Sequence, residues 1–557
     1  MIYHSPGRSD LKSRVLAVMM MIMMRLRLQL PVLKPVITVF LILPGSCVAL
    51  QSSSPAKPPS STMSSVEAAI TLTSAFMESS DAARAALESS DPVRARPSLF
   101  ARAVPNSRAG GSYFVMNESA GGGEVVLKLS RTPARARAAA LLRAAAPPGV
   151  FAAALVDDGS RAALLERLAA PLAVLRAELA AGILFPVLAR ALADALAPLA
   201  FTTSVWAQSR SEAASTLVNA LGAGGELGSA ARAEAETTLS AMFDAPFARA
   251  DVAPLRDAVR APLSRARVRA AEAAEGVIHG ELSTARILVG LVPVAALPLA
   301  NSEAFRPDEY PDSAVGGKAG DAGGWASVPA RAVVGSLRLT GGGGARLGAL
   351  GIDVGVLLAD LLRALLFSSA RARAETIAGA KGGYAAFSTR SRAARWLDHG
   401  RALSLAVVDF WAQWTRVFIS EWDADLARAD GAVQREPDGC PPPDVDPAVA
   451  AHWNCAPQVT AGATQKAFLV GVGEDALSFA GVALADSEPD THPEERAARG
   501  VLAALLLRGA ARAAAERPFF EIFSFATEAA TAAWDASINT HDFDTALASA
   551  EDTLAKK

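Results

Sequence analysis

Apolar residues recur at helical spacing through most of the chain after residue 64, which predicts a mainly helical protein. The first such stretch, residues 65–90, predicts two short helices, because Ser79, Ser80 and Asp81 supply an internal cap. A different pattern follows, in which the segments 113–116 and 124–129 flank a glycine turn and predict a β-hairpin. Helical spacing then returns in three Ala/Leu-rich stretches, residues 133–146, 169–204 and 212–274.

The second half of the chain combines a polar loop, a low-complexity segment and strongly apolar helices. The helical pattern stops at residues 276–282, and the apolar run 287–289 after it predicts a short buried strand. Residues 306–346 are rich in Gly, Pro, Asp and Ser, and they predict an insertion with no core of its own. Further on, five aromatic residues lie at helical spacing and predict a buried helix face: Phe410, Trp411, Trp414, Phe418 and Trp422.

The N-terminal 63 residues have the pattern of a targeting segment followed by a linker. Two apolar runs, residues 15–24 and 31–50, are split by a basic stretch, and small residues around Cys47 resemble a signal-peptidase site. Lys34 and three prolines interrupt the second run, which favours a cleaved signal over a stable membrane span. The expected destination is the secretory pathway or an organelle. The alternative is a mis-assigned start codon, which would leave the protein in the cytoplasm.

Charge and cysteine content exclude several classes of function. The formal net charge is -2, so the chain lacks the basic field that concentrates nucleic acid near a protein. Its three cysteines, Cys47, Cys440 and Cys455, show no zinc-ligand spacing, and they are too few for a disulfide framework. Cys440 and Cys455 would bridge only in an oxidising compartment, and free thiols are the favoured interpretation.

Phosphoryl transfer requires groups that cover the nucleotide phosphates, a lysine, a carboxylate that orients the attacking hydroxyl, and carboxylates that hold Mg²⁺. The chain carries candidates in that order. Three residues before the hairpin are candidates to cover phosphates through backbone amides: Gly110, Gly111 and Ser112. Lys128 lies near the end of the second hairpin strand, although an isolated lysine there would usually face solvent. The polar loop 279–282, with His279 and Glu281, precedes the predicted strand.

The segment 279–289 reads H-G-E-L-S-T-A-R-I-L-V and resembles the loop H-G-D-L-H-x-x-x-I-L-V of aminoglycoside phosphotransferases and methylthioribose kinases. Longer stretches resemble methylthioribose kinases in particular. Residues 164–168 resemble that family's hinge V-M-E-D-L, 350–355 resemble M-G-F-D-I-G, and 478–481 resemble G-F-A-G. Together with the Phe-Trp pair at 410–411, these matches span roughly residues 104–530.

The resemblance implies an α+β, two-lobed fold like that of the protein kinases. Residues 64–168 would form the smaller nucleotide-binding lobe around a β-hairpin. Residues 169–530 would form the larger, mainly helical catalytic lobe, interrupted by the insertion 306–346. Residues 531–557 would form a C-terminal tail. The oligomeric state is left open between a monomer and a homodimer.

The resemblance also implies an activity, its cofactors and its site residues. The protein would transfer the γ-phosphoryl group of ATP, with Mg²⁺, to a hydroxyl of a thioribose sugar in methionine salvage. Glu281 and His279 would be catalytic, Lys128 would hold phosphates, and Glu166 would lie at the adenine hinge. Asn301 with Glu303 would hold the metal. Arg508 or Arg512 would serve in place of the family's sugar-binding arginine pair, although helical arginines ordinarily face solvent.

Three departures from the family pattern point to alternatives. Glu281 replaces the catalytic aspartate, Asn301 replaces a metal carboxylate, and Asp486 with Ser487 replaces an arginine pair that grips the sugar. One alternative is a pseudoenzyme of the same fold that binds nucleotide or a partner without chemistry. A second is a non-enzymatic helical scaffold, which would lack the N-terminal hairpin sheet.

Overall fold

The structure is a computed structural model. It describes residues 65–87, 99–103, 112–117, 124–152, 154–157, 162–166, 172–183, 187–249, 252–293, 331–380, 385–433, 457–486, 492–540 and 542–556. Within these ranges the protein is a mixed α+β fold, mainly helical with small antiparallel sheets. The predictions for residues 1–63, Gly110, Gly111, Asn301 and Glu303 lie outside the described residues.

The first sheet has five antiparallel strands in the order β1-β2-β3-β5-β4. Their bounds are β1 Leu99–Ala103, β2 Ser112–Asn117, β3 Glu124–Leu129, β4 Ala154–Asp157 and β5 Ala162–Glu166. The predicted hairpin is confirmed as β2 and β3, whose register sets Ser112 opposite Lys128. Val125 and Leu127 are fully buried, whereas Lys128 on the same strand is partly exposed. Successive side chains of a strand point to opposite faces, which accounts for this difference.

Helices cover this sheet and connect its strands. Helices α1 (Ser65–Ser79) and α2 (Asp81–Leu87) confirm the two predicted short helices, and they share an apolar cluster with β3. Helix α3 (Pro133–Ala145) follows β3. It begins at an N-cap, where the Thr132 side chain accepts a hydrogen bond from the N–H of Arg135, and Pro133 occupies a position at which its missing N–H costs nothing.

Two smaller sheets flank the polar loop. One contains β6 (Leu172–Val174), β8 (Ile287–Pro293) and β9 (Arg331–Leu339), and the other pairs β7 (Gly276–Ile278) with β10 (Arg346–Gly348). The strand predicted at 287–289 is therefore confirmed within β8. The prediction that 306–346 forms an insertion throughout is wrong for its second part, since β9 pairs with β8 and buries Leu337 and Leu339.

Helices make up the rest of the described chain. Their bounds are α4 Leu175–Ala180, α5 Leu188–Thr202, α6 Glu212–Leu221, α7 Gly228–Leu239, α8 Ala253–Ala258, α9 Arg260–Glu272, α10 Gly351–Ala380, α11 Ala385–Val433, α12 Pro457–Ala485, α13 Pro493–Glu516, α14 Ile522–Asn539 and α15 Phe543–Ala555. Helices α10 and α12 approach each other closely at Gly355. A Cβ at this position would lie 2.6 Å from the Ala476 carbonyl oxygen, so the absence of a side chain permits the contact.

The aromatic face predicted from the sequence lies in the main core. Phe410, Trp411, Trp414 and Phe418 on α11 are fully buried, and Trp422 is nearly so. Trp411 stacks on Phe523 of α14 at 4.6 Å between ring centroids. Helical spacing therefore identified core residues, as expected.

The segment predicted as a C-terminal tail is instead helical and packed. It contains the end of α14 and all of α15, which begins where the Asp542 side chain accepts a hydrogen bond from the N–H of Thr545. Ala546, Leu547 and Ala550 of α15 are buried in the main core. Most side chains of this segment are small, so the sequence pattern did not show which face of the helix packs against the core.

Among the described helices, one segment is long and apolar enough to cross a membrane by length and composition alone, Ala463–Ala485. Of its most apolar window, 56% is buried inside the fold, as in the core helix of a soluble protein. This single weak candidate is consistent with the predicted lack of a stable membrane span.

Candidate functional site

The loop 279–282 connects β7 to the short 3₁₀ turn Thr284–Arg286, which leads into β8. Its second residue, Gly280, has φ of 77°, a conformation that side chains with a Cβ rarely adopt. A Cβ there would lie 2.2 Å from the Gly344 carbonyl oxygen. Glycine is therefore required at this position both by the backbone and by the close approach of a second glycine-rich segment.

Two aspartates on helix α10 hold the loop from one side. The carboxylate of Asp353 accepts hydrogen bonds from the N–H groups of His279 and Gly280, the latter at 3.1 Å. Two turns further along the helix, Asp360 accepts from the N–H of Thr284 at 2.8 Å and from its hydroxyl at 2.9 Å. Helix α10 thereby sets the position of the whole loop.

The environments of these two aspartates differ. Burial raises the pKa of Asp353 to about 6, because it outweighs the hydrogen bonds from the loop and the charge of Arg346. Burial acts in the same direction on Asp360, but the guanidinium groups of Arg363 and Arg176 outweigh it and lower the pKa. Asp360 is thus a firmly ionised anchor, whereas Asp353 is an anchor close to protonation.

His279 is buried and neutral. Its ring nitrogen Nε2 donates to the Thr340 carbonyl at 3.1 Å, and Nδ1 accepts from the N–H of Glu281 at 3.3 Å. Burial lowers its pKa to about 4, and its ring stacks on Phe151. Both ring nitrogens thus bind backbone groups of neighbouring residues, and the catalytic role of His279 stays a prediction.

Glu281 is held by two guanidinium groups. Arg135 of α3 and Arg286 of the 3₁₀ turn each bind one of its oxygens, the second at 3.1 Å. Arg135 also bridges to Glu234 of α7 at 2.9 Å. Burial would raise the pKa of Glu281, but the charges of Arg135 and Arg286 outweigh it and lower the pKa. The carboxylate is ionised, and both of its oxygens are engaged.

Lys128 reaches the same loop region from the five-stranded sheet. Its ammonium group donates to the Gly341 carbonyl at 2.9 Å. Burial lowers the pKa of Lys128 to about 8, the charges of Arg143 and Arg286 lower it further, and Glu281 opposes them. The structure therefore brings together Lys128, His279 and Glu281, three of the residues that the sequence predicted for the site.

Four glycines, Gly341–Gly344, follow β9 and border the loop. A Cβ at Gly343 would lie 3.3 Å from atoms of Arg135, and one at Gly344 would lie 3.2 Å from the Glu281 side chain. Gly341 and Gly342 have φ of 102° and 83°. This glycine segment occupies the space beside Glu281, and it contributes no carboxylate.

The described carboxylates of this loop are bound by protein groups rather than arranged as Mg²⁺ ligands. Mg²⁺ prefers carboxylate and water oxygens in octahedral geometry. Here Glu281 is bound by two arginines and Asp353 by two backbone N–H groups. Within the described ranges, no group of three or more His, Cys, Asp or Glu side chains is placed to hold a metal ion.

The remaining predicted residues are placed as follows. Ser112 is the first residue of β2, and the backbone of Glu166, the last residue of β5, pairs with Val125. Arg508 forms an ion pair with Glu551 at 3.1 Å, and Arg512 faces Glu516 at 3.7 Å on its own helix. Arg508 thus pairs with a neighbouring helix and Arg512 within its own helix, and their role in sugar binding stays a prediction.

Several residues of the site were absent from the sequence-based prediction. Arg135 gave no signal, because it lies in an Ala/Arg-rich helix among similar arginines. Arg286 was visible within the loop motif, and Asp353 was visible in the motif 350–355, but neither position was assigned a role. The glycine segment was read as part of an insertion.

No protein-family model matches this chain, and no curated protein matches it. Function is therefore inferred from the loop, its neighbours and their charges.

Proposed function

We propose that this protein is a kinase-like protein of the aminoglycoside-phosphotransferase and methylthioribose-kinase type whose site binds the phosphates of ATP but transfers them poorly or not at all. The observation that carries this proposal is the pairing of Glu281 with Arg135 and Arg286. A carboxylate that must orient a hydroxyl needs a free oxygen directed at the substrate. Arg135 and Arg286 each bind one oxygen of Glu281, so a substrate hydroxyl would have to share those oxygens, and the two positive charges make the carboxylate a weaker base.

The kinase-like part of the proposal is supported by the arrangement around Lys128. A five-stranded antiparallel sheet includes the predicted hairpin, α3 follows β3, and Lys128 on β3 lies beside the loop of Glu281. The two-lobed arrangement of the resembling families would account for this meeting of residues far apart in the chain. The helical-scaffold alternative expected no hairpin sheet, and the five described strands argue against it.

The impaired part of the proposal is supported by three features that act in one direction. Glutamate is one methylene longer than the family's aspartate, and an ångström of misplacement costs on the order of 10²-fold in rate. Arg135 and Arg286 pair with its carboxylate and lower its pKa, so it attracts the proton of a substrate hydroxyl less strongly. The neighbouring segment Gly341–Gly344 provides no metal carboxylate.

An active sugar kinase remains the second candidate, and one observation favours it. Asp353 and Asp360 hold the loop at both ends, and the ammonium group of Lys128 lies within hydrogen-bond distance of Gly341 next to it. Catalysis depends on positioned groups of this kind. Methylthioribose would be the acceptor, as the resemblance implies.

The test is ATP consumption by the full-length chain with methylthioribose and Mg²⁺, beside ATP binding by calorimetry. Glu281→Asp shortens the side chain away from Arg135, and Glu234→Asp is the matched control on the same arginine. We expect ATP binding in all three proteins and turnover, if any, only in Glu281→Asp. Turnover by the native chain at rates usual for small-molecule kinases would establish the active enzyme instead. Absence of both ATP binding and turnover would overturn the proposal.

A further inference from the structure

The surroundings of Lys128 carry more positive charge than the described carboxylates balance. Lys128, Arg135 and Arg286 carry three positive charges, and the described residues set two carboxylates against them, Glu281 and Glu234. Clustered like charges repel each other unless a counter-charge lies between them. The cluster therefore favours an anion.

The glycine segment adds backbone donors to this cluster. Within the described residues, the N–H groups of Gly341, Gly342, Gly343 and Gly344 donate to no backbone or side-chain acceptor. Gly342 and Gly344 are buried, and buried N–H groups are almost always paired with protein, water or a ligand. Successive amide groups in a glycine-rich turn are a recurrent means of binding phosphate.

The donors lie close enough to serve one ligand. Lys128 uses one of its three N–H bonds on the Gly341 carbonyl, 2.9 Å away, which leaves two for a ligand. A Cβ at Gly341 would lie 3.8 Å from Cδ of Arg286, and one at Gly343 would lie 3.3 Å from Nε of Arg135. The Lys128 ammonium group and the side chains of Arg135 and Arg286 therefore all lie beside the glycine segment.

The balance of charge decides whether a divalent cation would accompany the ligand. Mg²⁺ is held in phosphoryl-transfer sites by carboxylates, and it neutralises part of the phosphate charge. Here the glycine segment lies beside Glu281, whose two oxygens are bound by arginines. The positive charge that Glu281 and Glu234 leave unbalanced would supply part of the neutralisation that a metal ion supplies in such sites.

We propose that Lys128, Arg135, Arg286 and the amides of Gly341–Gly344 bind the polyphosphate group of a nucleoside triphosphate without a divalent metal ion. This inference rests on the proposed function, which it deepens by naming the metal-free triphosphate as the ligand. It requires no chemical step. Free ATP carries more negative charge than its Mg²⁺ complex, so this site binds the free form at least as tightly.

The test is calorimetric titration of the full-length chain with ATP, once in EDTA and once in excess MgCl₂, with inorganic triphosphate as competitor. We expect binding in EDTA, equal or weaker binding with MgCl₂, and displacement of ATP by triphosphate. Binding that appears only with MgCl₂ would overturn the metal-free site and leave the proposed function standing. Failure to bind in both buffers would remove the proposed function as well. Binding that triphosphate does not displace would assign recognition to the base and overturn the inference.

Variants locate the ligand. Lys128→Gln removes a charged donor, and we expect ATP binding in EDTA to weaken roughly tenfold or more. Arg512→Gln on α13 removes one positive charge outside the cluster and should leave the affinity unchanged. Equal effects of the two variants would contradict the site.

A charged substitution tests whether the glycine segment binds the ligand. Gly343→Asp places a carboxylate beside Arg135, and Gly343→Ala introduces the same Cβ without the charge. We expect Gly343→Asp to lose most of the binding in EDTA while Gly343→Ala keeps it within a fewfold. Circular dichroism of both variants checks that the fold is intact. Retained binding by Gly343→Asp would overturn the role of this segment.

Discussion

The loop around Gly280 and Glu281 has two sides that differ in how their polar groups are paired. On the side of helix α10, Asp353 and Asp360 bind backbone N–H groups of the loop. On the opposite side, Glu281 and Lys128 are surrounded by arginines and by the glycine segment 341–344. The first side fixes the shape of the loop, and the second is the side proposed to bind phosphate.

The architecture of such a loop is therefore separable from its chemistry. The anchoring side depends on one carboxylate meeting two amides, a pairing that contributes to stability whether or not a reaction takes place. The ligand side depends on which charges are left unbalanced. Substitutions on the anchoring side should therefore lower stability strongly, whereas those on the ligand side should change binding with little loss of stability.

The largest effect is expected for Gly280→Ala. The positive φ costs an alanine about 1–2 kcal/mol, and its Cβ would lie 2.2 Å from the Gly344 oxygen, which forces the two segments apart. We expect the free energy of unfolding to fall by roughly 3 kcal/mol or more, measured by urea denaturation. Gly224→Ala is the control, since no atom lies within 4 Å of its added Cβ. Similar losses in both variants would refute the close approach at Gly280.

The next effect concerns the pH dependence of stability through Asp353. Its pKa is raised to about 6, so the native protein holds this proton more tightly than the unfolded chain does. This tighter proton binding adds to the free energy of unfolding. The contribution is complete when the pH is below the ordinary pKa of an aspartate, and it is lost as the pH rises through about 6.

Asp353→Asn removes this titration. We expect the stability of the native protein relative to the variant to fall by up to about 3 kcal/mol between pH 4 and pH 7. Urea denaturation of both proteins across that range measures it, and the titration of groups present in both largely cancels. A stability difference that stays constant with pH would show that Asp353 titrates in its ordinary range.

The smallest effect is expected for Arg135→Gln on the ligand side. The ion pairs of Arg135 with Glu281 and Glu234 are partly exposed, so we expect a loss of about 1 kcal/mol or less in the free energy of unfolding. The pKa of Glu281, followed by carboxyl-carbon NMR, should rise because a neighbouring positive charge is gone. Arg137→Gln on the same helix removes the exposed pair with Glu226 and should leave the pKa of Glu281 where it is.

Local patterns in the sequence predicted a large part of the fold and some of the site. The hairpin, the first two helices and the aromatic face of α11 follow from periods of two and of 3.6 residues, which depend on near neighbours alone. The polar loop before an apolar strand identified His279 and Glu281 for the same reason. Lys128 was predicted from its position on the second hairpin strand, ahead of the polar loop in the chain, and not from any contact.

Long-range pairing accounts for what the sequence left undetermined. Strand β9 lies in a segment whose glycines and prolines favour a loop, and it became a strand because β8 offered a partner edge. The predicted tail became helices because α13 and α14 provided an apolar surface for small alanines. Neither partner is visible within a local window of residues.

The sequence alone determined which residue types stand in the loop: a glycine that permits its turn, a glutamate in place of the family's aspartate, and a lysine on an early strand. Their surroundings depend on how distant parts of the chain pack together. Arg135 meets Glu281 across 146 residues of chain, and Lys128 meets Gly341 across 213. Such distant charges and backbone groups change the pKa of a carboxylate or an ammonium group through space, and their proximity depends on how the sheets and helices pack.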